Sequence, residues 1–258
     1  MQSDNFQHHV AMTKFLCLTI SVLFFFSVLG QDKKEKSAYF DLIVAIVTTE
    51  KLGNNLVYRL DTLKSKFIPS RSYVNDYFNR DIDFRFKHRR ITMSLNFATY
   101  QIDLLCRNDT VFLSSITTVD YKNINYDKYE KDVIDQFLKQ RNDFYSSLKT
   151  PQQLINEISL PEEYAFYCGD GMPKTQKGKY IEQLVDDEDT ATLIDMLKSI
   201  NCETQAYGVA GLEMLEKRDN QVSYNTKKLI DHIKRRNSEL VVCSGCLSGL
   251  IEKIYTKK

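Results

Sequence analysis

Hydrophobic and polar residues alternate through much of residues 91–106 (ITMSLNFATYQIDLLC), as the two faces of a half-buried β-strand require. The turn-like sequence RNDT follows, and residues 111–119 (VFLSSITTV) are rich in β-branched side chains that favour strands. We therefore predict an antiparallel hairpin of 91–106 with 111–119. The preceding segment 81–90 (DIDFRFKHRR) is the predicted third strand of a small sheet.

The spacing of the hydrophobic residues changes downstream of this hairpin. From Tyr126 to Leu148 they recur at intervals of three, four or seven, which predicts one long helix that covers the sheet. Thr150 and Pro151 are typical of an N-cap followed by proline in the first helical turn, so a new helix is expected there. The apolar segment 37–51 fits either a buried helix or a strand, because its periodicity does not separate the two.

The C-terminal part of the chain contains an internal repeat. Residues 189–218 align with residues 225–254 at an offset of 36 without a gap, and nine of the 30 aligned positions are identical. Each copy predicts an N-cap, a helix, a turn centred on Asn201 or Asn237, and a second helix. A degenerate start is predicted at residue 150. Paired helices of this period resemble HEAT-type α-helical repeats, which implies an extended surface for binding, with another exported protein as its partner.

These patterns predict an α+β fold in three parts. A signal peptide occupies 1–30. An α+β domain, made of an antiparallel hairpin or small sheet with covering helices, occupies 31–149. An all-α domain of paired-helix repeats occupies 150–258.

The N-terminus has the pattern of a secretory leader. Residues 15–29 form an apolar run without charge, Lys14 precedes it, and small residues at 28 and 30 come before the polar sequence QDKKEK. We predict cleavage after Gly30 and export to the periplasm or the cell exterior, with Met12 as an alternative start. An uncleaved anchor is the less favoured alternative, since a membrane span needs about 20 apolar residues. A leader ending in SVLGQD before such repeats resembles uncharacterised exported proteins of Bacteroidota.

The composition of the chain disfavours several classes of function. The net charge of +1 argues against a general nucleic-acid binder, which would have a basic excess. Only His88 and His232 follow the leader, and this scarcity disfavours sites that depend on imidazole, although a hydrolase built on carboxylates stays open. No motif indicates a cofactor or a complete metal site, and no stable membrane span is expected after cleavage of the leader. We expect a binding or structural module in preference to an enzyme.

Five cysteines follow the leader, and two of them form the sequence CSGC at Cys243 and Cys246. On a predicted helix from 239 to 255, Cys243 belongs to an apolar stripe, which favours packing or a structural disulfide. Two alternatives stay open. One is a redox dithiol, with Cys243 attacking and Cys246 resolving. The other is half of a tetrahedral metal site, with Cys168 and Cys202 as conceivable partners, although no spacing selects them. An odd cysteine count leaves at least one free in an oxidising compartment, and the sequence does not choose the pairs.

The densest basic cluster contains Arg85, Lys87, Arg89 and Arg90. Such a cluster can grip an anionic glycan, a phosphate or a lipid headgroup. The pattern favours instead the solvated face of an edge strand, where charges are common. The glycine-rich loop at 167–179 lacks the order of a phosphate-binding loop, and long loops often carry function. It is the segment where we most expect a site.

Overall fold

The structure is a computed structural model, and it describes residues 38–96, 98–119 and 123–255. The predicted leader, its cleavage site and the alternative start at Met12 lie outside the described residues. The chain divides into two compact units, residues 1–46 and 47–258. The described part of the first unit is helical and belongs to helix α1 (38–49).

The central element of the second unit is a five-stranded antiparallel sheet in which neighbours in sequence are neighbours in space. Short connections between successive strands produce this order. Its strands are β1 (Tyr73–Asp81), β2 (Lys87–Leu95), β3 (Ala98–Arg107), β4 (Thr110–Thr118) and β5 (Asn123–Tyr129).

The predicted hairpin is confirmed at its turn. Cys106 pairs with Val111, and Asn108 and Asp109 both have positive φ (50° and 67°), which a two-residue hairpin turn favours. The single strand predicted over 91–106 is wrong, because the chain turns at Asn96 (φ 55°) and divides it into β2 and β3. Segment 81–90 is likewise not one strand, since the connection between β1 and β2 lies within it.

Helices α2 to α8 and a second hairpin complete the fold. The helices are α2 (Gly53–Lys64), α3 (Lys131–Tyr145), α4 (Pro151–Ser159), α5 (Gln176–Asp186), α6 (Thr190–Leu197), α7 (Cys202–Glu216) and α8 (Tyr224–Arg236). The hairpin consists of β6 (Leu240–Ser244) and β7 (Leu247–Glu252). The long helix predicted from Tyr126 begins only at Lys131, because Tyr126 pairs with Ile116 in the sheet.

Local capping signals determine where several helices begin. Thr150 and Gln153 form a reciprocal capping box at the start of α4, and Pro151 occupies its first turn, as predicted. The Asp189 carboxylate accepts from the backbone N–H of Thr192 at 3.0 Å and caps α6. Asn201 caps α7 in the same way, through the N–H of Thr204 at 2.9 Å.

The prediction of an all-α C-terminal region built from paired-helix repeats is wrong. The first predicted copy forms the helix pair α6 and α7, but the second forms only α8 before the chain enters the β6–β7 hairpin. Asn237 ends α8 in a left-handed conformation (φ 46°), whereas its aligned partner Asn201 begins a helix. Tertiary contacts favour the strand, since the Tyr164 N–H donates to the Val241 carbonyl at 2.8 Å.

Helices cover both faces of the sheet. Successive residues of a strand point to opposite faces. Arg89 on β2 donates to the Asn54 side chain at the start of α2, and its neighbour Arg90 donates to the Ile158 carbonyl in α4. One hydrophobic core beneath α4 contains residues that precede position 149, the predicted end of the α+β domain, and residues that follow it. Its members include Leu105, Leu113, Phe137, Ile155 and Val242.

A second hydrophobic cluster holds the C-terminal helices together. Ile181 of α5, Leu193 of α6, Leu212 of α7 and Ile230 of α8 are buried in it. Within the part of the chain that the structure describes, no helix is both long and apolar enough to cross a membrane.

Candidate functional site

The cysteines of the CSGC sequence lie at the tip of the β6–β7 hairpin. Cys243 forms a disulfide bond with Cys168, with 5.6 Å between the Cα atoms and 75 residues between them in sequence. The loop that carries Cys168 is also held by a hydrogen bond from the Gly169 N–H to the Gly245 carbonyl at 2.8 Å. The disulfide therefore fastens the glycine-rich loop to the hairpin, and Cys243 is buried in a strand instead of the predicted helix.

The other three described cysteines differ in accessibility. Cys106 and Cys202 are buried, whereas Cys246 is exposed in the hairpin turn. Burial raises the pKa of the Cys106 thiol to about 12, so this group stays protonated. The reachable thiol among the described residues is therefore Cys246. No group of three or more His, Cys, Asp or Glu side chains in 38–96, 98–119 and 123–255 is placed to hold a metal ion.

The predicted basic cluster does not converge on one surface. Arg85 is exposed in the connection before β2 with φ 68°, and Lys87 is exposed on the strand. Arg89 is buried and donates from Nε to Asp76 at 2.8 Å. Arg90 is buried on the opposite face. The strand that carries Lys87, Arg89 and Arg90 lies between β1 and β3, so it is not an edge strand.

Arg90 belongs to a buried polar network centred on Asp103. The Asp103 carboxylate accepts from His88 Nε2 at 2.7 Å, from Arg90 Nε at 2.7 Å and from Gln101 Nε2 at 2.6 Å. Burial opposes ionisation of Asp103, but Arg90 and His88 outweigh it and lower the pKa of the carboxyl. Burial lowers the pKa of His88 to about 4, so its ring is neutral near pH 7 and donates from Nε2.

A second buried carboxylate, Asp83, joins the β1–β2 connection to the helices. It accepts from Arg236 at 2.7 Å, His232 at 2.9 Å, Arg141 at 3.0 Å and the Tyr145 hydroxyl at 3.1 Å. Burial would raise its pKa, but Arg236, the His232 hydrogen bond and Arg141 outweigh this effect and lower the pKa to about 2. These four contacts, three to Oδ1 and one to Oδ2, make Asp83 a structural anchor.

An open pocket of about 580 Å³ lies beside the Asp103 network, at the C-terminal end of α4. We call it the α4 pocket. Its size is within the range of cavities that bind small molecules. The described residues that line it are Gln101, Thr117, Val119, Asn156, Ser159, Leu160 and Pro161.

Two side chains of the α4 pocket keep unused hydrogen-bonding capacity. The Thr117 hydroxyl is buried and has no partner among the described residues. Gln101 Nε2 donates to Asp103 at 2.6 Å and to the Ser159 carbonyl at 2.9 Å, which fixes the amide, while no described group donates to its Oε1. A buried polar group without a partner is uncommon and calls for an explanation, such as a ligand or water.

No protein-family model, curated protein or solved structure matches this chain.

The disulfide is compatible with an exported protein, because such bonds persist in oxidising compartments. The sequence did not predict the α4 pocket, since its residues come from β3, β4 and the end of α4 and meet only in the folded chain. Pro161 indicated only that a helix ends before it.

Proposed function

We propose that this chain is an exported binding module that holds a small ligand in the α4 pocket. The observation that carries the proposal is the pocket itself, which combines a suitable volume with a buried hydroxyl on Thr117 that has no partner in the described part of the chain. The leader pattern and the Cys168–Cys243 disulfide support export.

The buried carboxylates support binding in preference to catalysis. Asp83, Asp103 and Glu203 each pair with at least one buried arginine. A general base must be able to reach a substrate proton, and these groups are instead committed to interior hydrogen bonds. Their arrangement suits a rigid scaffold around a ligand site.

Ligand binding is tested with the chain from Gln31 to Lys258 and a library of small fragments, by thermal shift and by saturation-transfer NMR. Hits in the α4 pocket are expected to be lost in Leu160→Lys, because the new side chain places a charge in the pocket wall. Leu148→Lys is the matched control, since Leu148 is 91% exposed and does not line the pocket. Hits that survive Leu160→Lys, or no hits at all, would overturn the proposal.

Export is tested by expressing the full chain in a Gram-negative bacterium and separating periplasm from cytosol. We expect a mature protein that begins at Gln31 in the periplasm, while a chain that starts at Gln31 stays in the cytosol. Release only by detergent would favour the uncleaved anchor.

Thiol–disulfide exchange is the second candidate function, and the exposure of Cys246 near the disulfide favours it. The Cys246 thiolate would attack the sulfur of Cys243, form a Cys243–Cys246 bond and release Cys168 as a thiolate. Cys243 is already bonded to Cys168, so Cys246 takes the attacking role that the sequence suggested for Cys243.

Alkylation of the native protein followed by peptide mass mapping separates the two functions. If the chain is a binding module, the reagent labels Cys246 rapidly and leaves Cys168 unlabelled. Exchange instead yields labelled Cys168 together with a Cys243–Cys246 peptide, and Cys246→Ser abolishes both products.

A further inference from the structure

We infer that the α4 pocket takes an uncharged ligand that carries both an aliphatic group and an amide, the chemistry of a short neutral peptide segment. The inference rests on the proposed function and names the ligand class for the same pocket.

The charge distribution around the α4 pocket indicates a neutral ligand. None of the described residues that line it carries a charge. The charges nearest in the hydrogen-bond network are Asp103 and Arg90, which neutralise each other through a 2.7 Å bond and are both buried. A charged ligand would lose hydration on entering, and none of the described lining residues offers it a free counter-ion, which disfavours it.

The apolar part of the wall indicates an aliphatic group. Val119 and Leu160 are each 43% exposed, and Pro161 adjoins them in the pocket wall. An aliphatic group of the ligand would remove this surface from water. The resulting hydrophobic contribution to binding does not depend on the orientation of the group. None of the described lining residues is aromatic, so these residues provide no ring for a planar ligand to stack on.

The polar groups match an amide. Gln101 Oε1 is an acceptor for which no described residue supplies a donor, because the side-chain N–H groups of Gln101 are used by Asp103 and Ser159. The Thr117 hydroxyl is a donor without a partner among the described residues, and because its oxygen is buried a ligand reaches it only when the adjoining pocket wall shifts. Asn156 Oδ1 already accepts from Gln152 at 3.1 Å, which leaves its NH₂ group as a second donor. An amide offers an N–H for Gln101 and a carbonyl for Thr117 or Asn156.

The test compares three matched probes by NMR titration of the isotope-labelled chain from Gln31 to Lys258. N-acetyl-leucinamide is neutral, N-acetyl-leucine carries a carboxylate, and leucinamide carries an ammonium group. We expect shifts at Thr117 and Leu160 with the neutral probe, and affinities at least about tenfold weaker for both charged probes, since each must be desolvated without a partner.

Thr117→Val keeps the shape of the side chain and removes its hydroxyl, so we expect the neutral probe to bind about five- to tenfold more weakly. Thr110→Val is the matched control at the other end of β4 and does not line the pocket. Melting temperatures of both variants show that they are folded.

The outcomes separate this inference from the proposed function. Equal or tighter binding of a charged probe, or an unchanged affinity in Thr117→Val, overturns the inference. If the neutral probe does not bind but a library fragment binds and is blocked by Leu160→Lys, the binding module stands and the ligand class is wrong. If nothing binds in the pocket, both fail.

Discussion

Arg80 on β1 and Glu203 on α7 form an ion pair in the protein interior, with Arg80 Nη2 and Glu203 Oε2 3.0 Å apart and both side chains 1% exposed. Arg80 also donates to the Glu239 carbonyl at 3.1 Å, and Glu203 accepts from the Val241 N–H at 2.8 Å. Burial opposes charge on both groups, yet each partner outweighs it, so the pKa of Arg80 is raised and the pKa of Glu203 is lowered. The pair thereby joins the first strand, α7 and the last hairpin.

Glu203→Gln leaves the Arg80 guanidinium buried without a counter-charge, and we expect the free energy of unfolding to fall by about 3–5 kcal/mol. Urea denaturation measures the change. Asp143→Asn is the control, because it breaks an exposed pair with Lys139 on α3 and should cost less than about 1 kcal/mol. A double variant, Arg80→Met with Glu203→Leu, should recover much of the loss. Equal stability of Glu203→Gln and the control would contradict the assignment.

The buried His88 ring predicts a loss of stability in mild acid. Its pKa is about 4 in the folded protein against an ordinary value of 6.5, so the unfolded chain binds the proton more readily. The contribution of His88 is complete above pH 6.5 and is lost progressively as the pH falls towards 4. The loss should be about 3 kcal/mol over this range.

Urea unfolding at pH 7, 5 and 4 measures this dependence, and His88→Gln should flatten it in the same window. NMR of the ring checks the cause directly, because His88 should remain neutral at pH 5. A ring that is protonated at pH 6 would rule out the explanation.

Reduction of the Cys168–Cys243 disulfide should lower the free energy of unfolding by about 2–4 kcal/mol, since the bond restricts the unfolded chain across 75 residues. The variant Cys168→Ala with Cys243→Ala is expected to show the same loss without reductant. Cys246→Ser, which removes only the exposed thiol, should match the parent protein. Stability that does not respond to reductant would mean that the bond is not formed in solution.

Gly208→Ala tests the close packing of α7 on α6. A Cβ at Gly208 would lie 2.9 Å from the Leu193 carbonyl oxygen and 3.0 Å from the Leu197 nitrogen, and backbone atoms move only with their helix. Alanine improves helix propensity by about 1 kcal/mol, but we expect the steric crowding to outweigh this gain. The free energy of unfolding, measured by heat or urea, should fall by about 1–3 kcal/mol. Ala210→Gly, at a half-buried position on the same helix, reports mainly the propensity effect. Stabilisation by Gly208→Ala would show that the two helices separate easily.

The sequence predicted features whose causes lie within a few residues. Thr150 and Asp189 cap helices as expected because their side chains bond to backbone three residues ahead. The turn at Asn108 and Asp109 was predictable because few residues adopt its backbone conformation.

Features that depend on distant parts of the chain were not predictable. The segment 240–252 has hydrophobic residues at helical spacing, yet it pairs as a hairpin because Tyr164 and Glu203 bond to its first strand. Val241 and Val242, followed by a glycine in a turn (Gly245, φ 62°), were the local signals for a strand.

The candidate site was harder still to predict from the sequence. Composition identified the basic cluster, but Asp103, the partner of Arg90, lies on the next strand. Only the register of the sheet brings Asp103 opposite Arg90. The α4 pocket required three separate elements to be in place. Local sequence patterns do not show which distant residues meet in the folded chain.

The bond between Cys168 and Cys243 turns the stretch that contains α5 to α8 into a covalent ring. A single cut by a protease anywhere in that ring leaves both new ends tethered to the rest of the molecule. A nicked molecule would therefore keep all its pieces together until a thiol reductant opened the bond.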